Sequence, residues 1–123
     1  MHGNPGFWAA GTAPGSVSVT GTTVTDASGI LNATADCSSG AAKGCSAAQM
    51  AAYDLQEWAK SMSARFPTYA ATIQCTTVIG TPVSCVIGLN WTEKYVAVNR
   101  STAAASGAVQ GSSALQYSLY VEP

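Results

Sequence analysis

Four cysteines are the residues of this sequence best suited to form covalent or metal bonds: Cys37, Cys45, Cys75 and Cys85. Seven residues separate the first two and nine separate the last two. A zinc site needs closer pairs, backed by further Cys or His ligands, so the spacing predicts two disulfides formed in an oxidising compartment. Three pairings are possible. Cys37–Cys45 with Cys75–Cys85 is favoured because each bond then spans one short loop.

The sequence contains few residues that could serve in acid–base or nucleophilic catalysis. His2 is the only histidine and lies next to the chain end, whereas a catalytic triad holds its histidine between a nucleophile and a carboxylate. Asp54 and Glu57 are three residues apart on a predicted helix, where Lys60 balances their charge, so we expect a solvated surface pair. The sequence has no phosphate-binding or nucleophile-elbow glycine motif. We therefore expect no catalytic residue, no cofactor, no metal site and no enzyme activity.

Aromatic side chains form a third candidate set, because exposed rings can serve as a platform for a ligand such as a sugar. The set is Trp8, Trp58, Trp91, Tyr53, Tyr69, Tyr95, Tyr117 and Tyr120. Trp58 lies on the apolar stripe of the predicted helix, and Trp91 follows the apolar alternation of a predicted strand, so both are expected in the core. Tyr120 points to the other face of the last strand and is the better candidate for a partner contact.

Composition narrows the class of protein. The chain has 123 residues, of which 47% are apolar and only 9% charged, and its net charge is −1 with no basic run. Nucleic acid is therefore not an expected partner. Length fits one domain over 1–123, with 1–15 as an irregular lead-in. No apolar stretch long enough for a membrane span and no signal peptide are present, so we expect a targeting segment to have been removed upstream of Met1.

A helix gives the clearest local signal. Ser46 followed by Gln49 forms a capping box. From 47 to about 64, apolar residues recur at helical spacing, at Ala51, Leu55, Trp58 and Met62. Pro67 is expected to end the helix at or before residue 66.

Short β-strands are predicted on both sides of this helix. They are 16–20 and 22–25 before it, and 72–79, 84–91, 95–98 and a last strand over 115–121 after it. Residues 26–44 and the small-residue tract 101–113 are predicted to be loops. The pattern favours an α+β fold with one amphipathic helix packed on an antiparallel sheet.

The helix also carries a motif. Its segment from Cys45 to Trp58 resembles the Cys-x-x-x-Gln-x-Ala-x-Tyr-Asp-Leu-x-x-Trp segment of type IV pilus modification proteins, the PilV-type minor pilins. The opening residues 1–5 resemble the point where the long N-terminal helix of these proteins meets the head. Cys75, Cys85 and residues 89–93 resemble their paired cysteines and Trp-bearing strand.

The resemblance implies a pilin-like head and a structural, non-catalytic role in pilus assembly or priming at the pilus tip. Implied partners are other minor pilins, the major pilin and a tip adhesin-like protein. An apolar N-terminal helix would anchor the subunit in the inner membrane, with a periplasmic head, before it joins the extracellular pilus. The prepilin cleavage site, the Glu near the mature N-terminus and that apolar helix are absent from this sequence.

Two other functions remain open on the sequence. A pseudopilin of a type II secretion system has the same architecture and differs in its partners. A secreted, disulfide-stabilised binding module would use exposed tyrosines to hold its ligand.

Overall fold

The computed structural model describes residues 4–9, 11–38, 44–97 and 109–122. One helix packs on a five-stranded antiparallel sheet, which confirms the predicted α+β class. The elements in chain order are β1 Ser16–Thr20, β2 Thr23–Asp26, α1 Ala47–Arg65, β3 Ala70–Cys75, β4 Cys85–Ala97 and β5 Val109–Val121.

The sheet has the order β2-β1-β3-β4-β5. Strands β1 and β2 form a hairpin, the chain then forms α1, and β3 returns on the other side of β1. Strands β4 and β5 follow as successive antiparallel neighbours. The helix therefore connects the β1–β2 hairpin to the three successive strands β3, β4 and β5 of the same sheet.

Helix α1 has the predicted ends. The Ser46 hydroxyl accepts a hydrogen bond from the Gln49 backbone N–H at 3.2 Å, and Gln49 Oε1 accepts one from the Ser46 N–H at 2.9 Å. This capping box satisfies two backbone donors that have no partner within the helix. The helix ends at Arg65, next to Phe66 and Pro67, because a residue before proline is disfavoured in the helical conformation.

The core lies where α1 faces β1 and β2, and Ala71 and Ile73 of β3 extend it. Ala51, Ala52 and Ala59 are its buried helix residues, and these small side chains bring the helix close to the sheet. Of the predicted apolar stripe only Ala51 is buried, whereas Leu55, Trp58 and Met62 are half-buried at the edge of the core. The buried line of the helix is thus shifted by about one residue from the predicted stripe.

Several predicted strand boundaries were wrong, including the start of β3, which is at Ala70 and not at residue 72, and the start of β4, which is at Cys85 and not at residue 84. The second strand covers Thr23–Asp26 and not 22–25, so Asp26 belongs to the strand rather than to the following loop. Strand β3 ends at Cys75, and residues 76–84 connect it to β4 although they are rich in β-branched residues. Residues 95–97 continue β4 as one long strand.

The predicted loop 101–113 was also wrong in part. Residues 109–113 lie in β5, where they pair with the end of β4, while 101–108 and 98–100 lie outside the described residues. Pairing with β4 overrides the weak strand propensity of Gly and Ser here.

All four cysteines are in disulfides, Cys37–Cys45 and Cys75–Cys85, which is the pairing that the sequence favours. The second bond joins directly opposed residues of β3 and β4, with a Cα–Cα distance of 4.0 Å. It fixes the register at the end of this strand pair. No helix in the described ranges is long and apolar enough to cross a membrane.

Candidate functional site

The charged candidates do not come together into a reactive cluster. His2 lies outside the described residues. Glu57 pairs with Lys60 at 2.5 Å on the exposed surface of α1, as the sequence predicts, while Asp54 lies at the rim of an apolar groove. In the part of the chain that the structure describes, no three His, Cys, Asp or Glu residues are grouped as metal ligands would be.

A groove lies between α1 and the sheet, and we call it the apolar groove. Its volume is about 440 Å³. Nine of its eleven lining residues are apolar or aromatic, and the other two are Asn4 and Asp54. The nine are Trp8, Ala51, Leu55, Trp58, Ile73, Ile87, Leu89, Tyr117 and Leu119.

Strand register explains why one side of the groove is apolar. Ile87 lies between Ile73 of β3 and Leu119 of β5, and Leu89 lies opposite Tyr117. Because side chains of a strand alternate between the two faces, these residues share the face that looks toward the helix. Their neighbours in the sequence lie on the other face and include Ser, Thr, Gln and Asn, together with Val86, Gly88 and Tyr120.

The groove is open because α1 does not cover the whole sheet. The helix packs over β1 and β2, at the opposite side of the sheet from β5. Tyr117 is 55% exposed and Leu119 is 45% exposed, although both point to the face that carries the core. An antiparallel sheet normally packs one face on the core and leaves the other to water, so this uncovered apolar strip is unusual.

The lead-in forms one end of the groove. The side chain of Trp8 is 3% exposed and packs edge-to-face with Phe7 at 5.2 Å between ring centroids. The Asn4 side chain donates a hydrogen bond to the carbonyl oxygen of Ala47 at 2.6 Å. This bond ties the lead-in to the first turn of α1, so residues 4–8 lie beside the groove.

The aromatic residues are divided among separate sites. Trp8, Trp58 and Tyr117 line the groove, whereas Tyr69 is buried and donates its hydroxyl proton toward the carbonyl oxygen of Gly21 at 2.7 Å. Burial raises the pKa of Tyr69. Tyr120 is 60% exposed on the opposite face, as predicted, and its contact with a partner stays a prediction.

Trp58 and Trp91 were predicted in the core and are both half-buried at its edge. Trp91 packs against Phe66 at 6.0 Å between ring centroids. Trp58 packs against Tyr69 at 6.1 Å between ring centroids, and it also lines the groove. One part of its side chain therefore contacts the core and another part faces the groove.

The sequence did not predict the groove. Its only signal was the alternation of apolar residues over 115–121, which indicates one apolar face but not whether a helix covers that face. With one carboxylate and one amide among its lining residues, the groove is suited to burying an apolar surface rather than to acid–base chemistry. Comparison with protein families, curated proteins and solved structures finds no match.

Proposed function

We propose that this chain is the head of a type IV minor pilin, a structural subunit that takes part in pilus assembly and priming at the tip. The apolar groove is the observation that carries the proposal. A pilin head must pack against an apolar helix, and the groove offers an apolar strip of the sheet beside α1 for such a helix. The motif from Cys45 to Trp58 supports the same function.

The position of the lead-in fits this proposal. Asn4 and Trp8 line the groove, so a helix that runs into Asn4 reaches the uncovered strip without a long connection. Burying a Leu- or Phe-sized side chain contributes about 1.5–3 kcal/mol. A helix over Leu89, Tyr117 and Leu119 would remove several such side chains from water and stabilise the head.

The low charge and the disulfides suit a subunit that packs among many others. A net charge of −1 gives little repulsion between neighbouring heads. The proposed partners are other minor pilins, the major pilin and a tip adhesin-like protein. In this proposal the protein resides in the inner membrane with a periplasmic head and later lies in the extracellular pilus.

The first experiment is mass spectrometry of the N-terminus of the native mature protein, purified from membranes and from sheared pili. A methylated first residue followed by about 20 apolar residues, enough to span a bilayer, is the expected result. Co-purified pilus subunits would favour the pilus over a type II secretion system, in which the chain would be a pseudopilin. A mature chain that starts near Met1 and is found free in the medium would overturn both.

A matched pair of variants tests the groove itself in cells that make pili. Tyr117→Asp places a carboxylate in the groove, whereas Tyr120→Asp places one on the opposite face of the same strand at similar exposure. We expect surface piliation to fall with Tyr117→Asp and to stay near wild type with Tyr120→Asp. Equal piliation for the two variants would contradict a role for the groove in docking.

A small-molecule binding module is the second candidate, because the groove has the size of a ligand site, about 300–1,000 Å³. Trp8, Trp58 and Tyr117 supply aromatic walls, and Asp54 supplies one charged rim group. This function predicts that an apolar ligand raises the melting temperature of the head. Tyr117→Asp should abolish that increase in melting temperature. The same function also predicts that the mature protein begins close to Met1.

A further inference from the structure

Strand β5 is a long edge of the sheet. It covers Val109–Val121 and pairs with β4 along its whole length, and it is the last strand in the order β2-β1-β3-β4-β5. No strand of the described residues lies on its other side. The backbone N–H and C=O groups that point outward along this edge are therefore open to pairing with another chain.

The usual protection of an edge strand is missing from β5. Proteins protect such edges with charged side chains, especially Lys, with Pro, with bulges, or by keeping the strand short. Residues 109–121 contain no Asp, Glu, Lys, Arg or Pro. The pairing with β4 runs one residue to one residue throughout, so no bulge twists the edge away.

The other edge strand of the sheet, β2, is short and ends in a charged residue. Strand β2 has four residues, and its last residue is Asp26. A short strand that ends in a carboxylate is a poor template for strand addition. The contrast within one sheet indicates that β5, and not β2, is the edge suited to receive another strand.

The chemistry of the covering strand follows from β5. It must be uncharged, free of Pro, and apolar on the side of the groove. Strand β5 of a second copy meets these requirements, since it carries Tyr117 and Leu119 on the groove side and Ser118 on the other. Two copies with a net charge of −1 each repel one another only weakly.

We infer that the outer edge of β5 pairs antiparallel with β5 of a second copy, around a two-fold axis near Ser118. This pairing joins two five-stranded sheets into one. It places Tyr117 of each copy opposite Leu119 of the other, so that these exposed side chains pack together. Glu122, the nearest charged residue, falls opposite Ala114, and no like charges meet.

This inference goes beyond the proposed function and does not depend on it. Sedimentation equilibrium of the 123-residue chain from low to high micromolar concentration measures the dimer directly. We expect a monomer–dimer equilibrium. Ser118→Lys brings two ammonium groups together across the axis and should weaken the dimer by at least about tenfold, since like charges facing each other across an interface are strongly unfavourable.

The matched control is Thr25→Lys, an exposed lysine on edge strand β2, which should leave the dimer unchanged. Hydrogen exchange of the wild-type chain needs no variant. Protection of amides in residues 113–121 should rise with concentration, and protection of those in Thr23–Asp26 should not. A chain that stays monomeric, or a dimer that Ser118→Lys and Thr25→Lys weaken equally, would overturn the inference. So would a dimer that dissociates with Leu55→Gln in the groove and persists with Ser118→Lys.

Discussion

Asp26 Oδ1 accepts a hydrogen bond from the backbone N–H of Leu31 at 3.0 Å, and the Leu31 side chain is fully buried. The other carboxylate oxygen accepts the Ser28 backbone N–H at 3.1 Å and the Ser28 hydroxyl. From the helix, Gln56 Nε2 donates to the carbonyl oxygen of Leu31 at 3.0 Å. Asp26 and Gln56 thus hold the loop after β2 from two sides.

Replacing Asp26 tests this arrangement. In Asp26→Asn one acceptor oxygen becomes an NH₂ group that faces a backbone or hydroxyl donor, so at least one hydrogen bond is lost in a buried place. We expect the free energy of unfolding to fall by about 1–3 kcal/mol, measured by urea denaturation. Asp54→Asn is the control, because it removes one exposed carboxylate from the surface of α1. An equal loss for both variants would mean that charge, and not the hydrogen bonds of Asp26, stabilises the fold.

The same carboxylate predicts how stability depends on pH. Burial raises the pKa of Asp26, but the hydrogen bonds from the Ser28 hydroxyl and from the backbone N–H groups of Leu31, Ile30 and Ser28 outweigh burial and lower it overall. A pKa that is lower in the folded chain means a contribution to stability that is complete above the ordinary value of 3.8. That contribution is lost as pH falls through the folded pKa.

Melting temperatures measured from neutral pH down to about pH 2 should therefore decrease more steeply below about pH 4 for the wild-type chain than for Asp26→Asn. The difference between the two proteins should shrink as Asp26 becomes protonated. A constant difference across this range would contradict the lowered pKa.

The two disulfides should contribute different amounts to the free energy of unfolding. They join residues 8 and 10 positions apart, so loop closure contributes about 2–3 kcal/mol in each case. Cys85 is fully buried between strands, however, whereas Cys45 is half-buried in a loop. We expect Cys75→Ala with Cys85→Ala to reduce the free energy of unfolding by more than Cys37→Ala with Cys45→Ala.

Alanine is chosen because a serine at Cys85 would add a buried hydroxyl. The measurement is urea denaturation of both double variants, with circular dichroism to check that the helix is kept. A larger loss for the loop disulfide would show that packing around Cys85 does not add to the effect of loop closure.

Local signals in the sequence predicted the helix and the short first strand, and the structure confirms both. The cap at Ser46 and the stop at Pro67 act within a few residues, so their effects can be read from the sequence. The length of β4 and β5 could not be predicted in this way. Residues 109–113 are Val, Gln, Gly and Ser, and only their pairing with β4 makes them a strand.

The apolar groove could not be predicted from single segments, because it depends on how the helix and the strands are arranged. Whether Tyr117 and Leu119 are covered depends on which strands lie beneath α1, and that follows from the strand order rather than from any single segment. Alternating apolar residues indicate an apolar face equally well for a covered and for an open strip. The open strip was therefore visible only in the assembled sheet.

Dye binding tests the open apolar strip in the isolated chain. Nile red is neutral and fluoresces strongly in apolar surroundings, and the groove offers such surroundings among Trp8, Leu89 and Tyr117. We expect dilute wild-type protein to enhance its fluorescence, and Tyr117→Asp to reduce that enhancement severalfold. Tyr120→Asp removes a similarly exposed ring and adds the same charge on the opposite face of β5.

The comparison of these two variants isolates the groove, because they differ only in the face of the sheet on which the carboxylate lies. Tyr120→Asp should therefore bind the dye as the wild-type chain does. If both variants lost the dye equally, the site would be the exposed aromatic surface of β5 in general. An apolar helix would then have no preferred face on which to dock, and the proposed function would lose the observation that carries it.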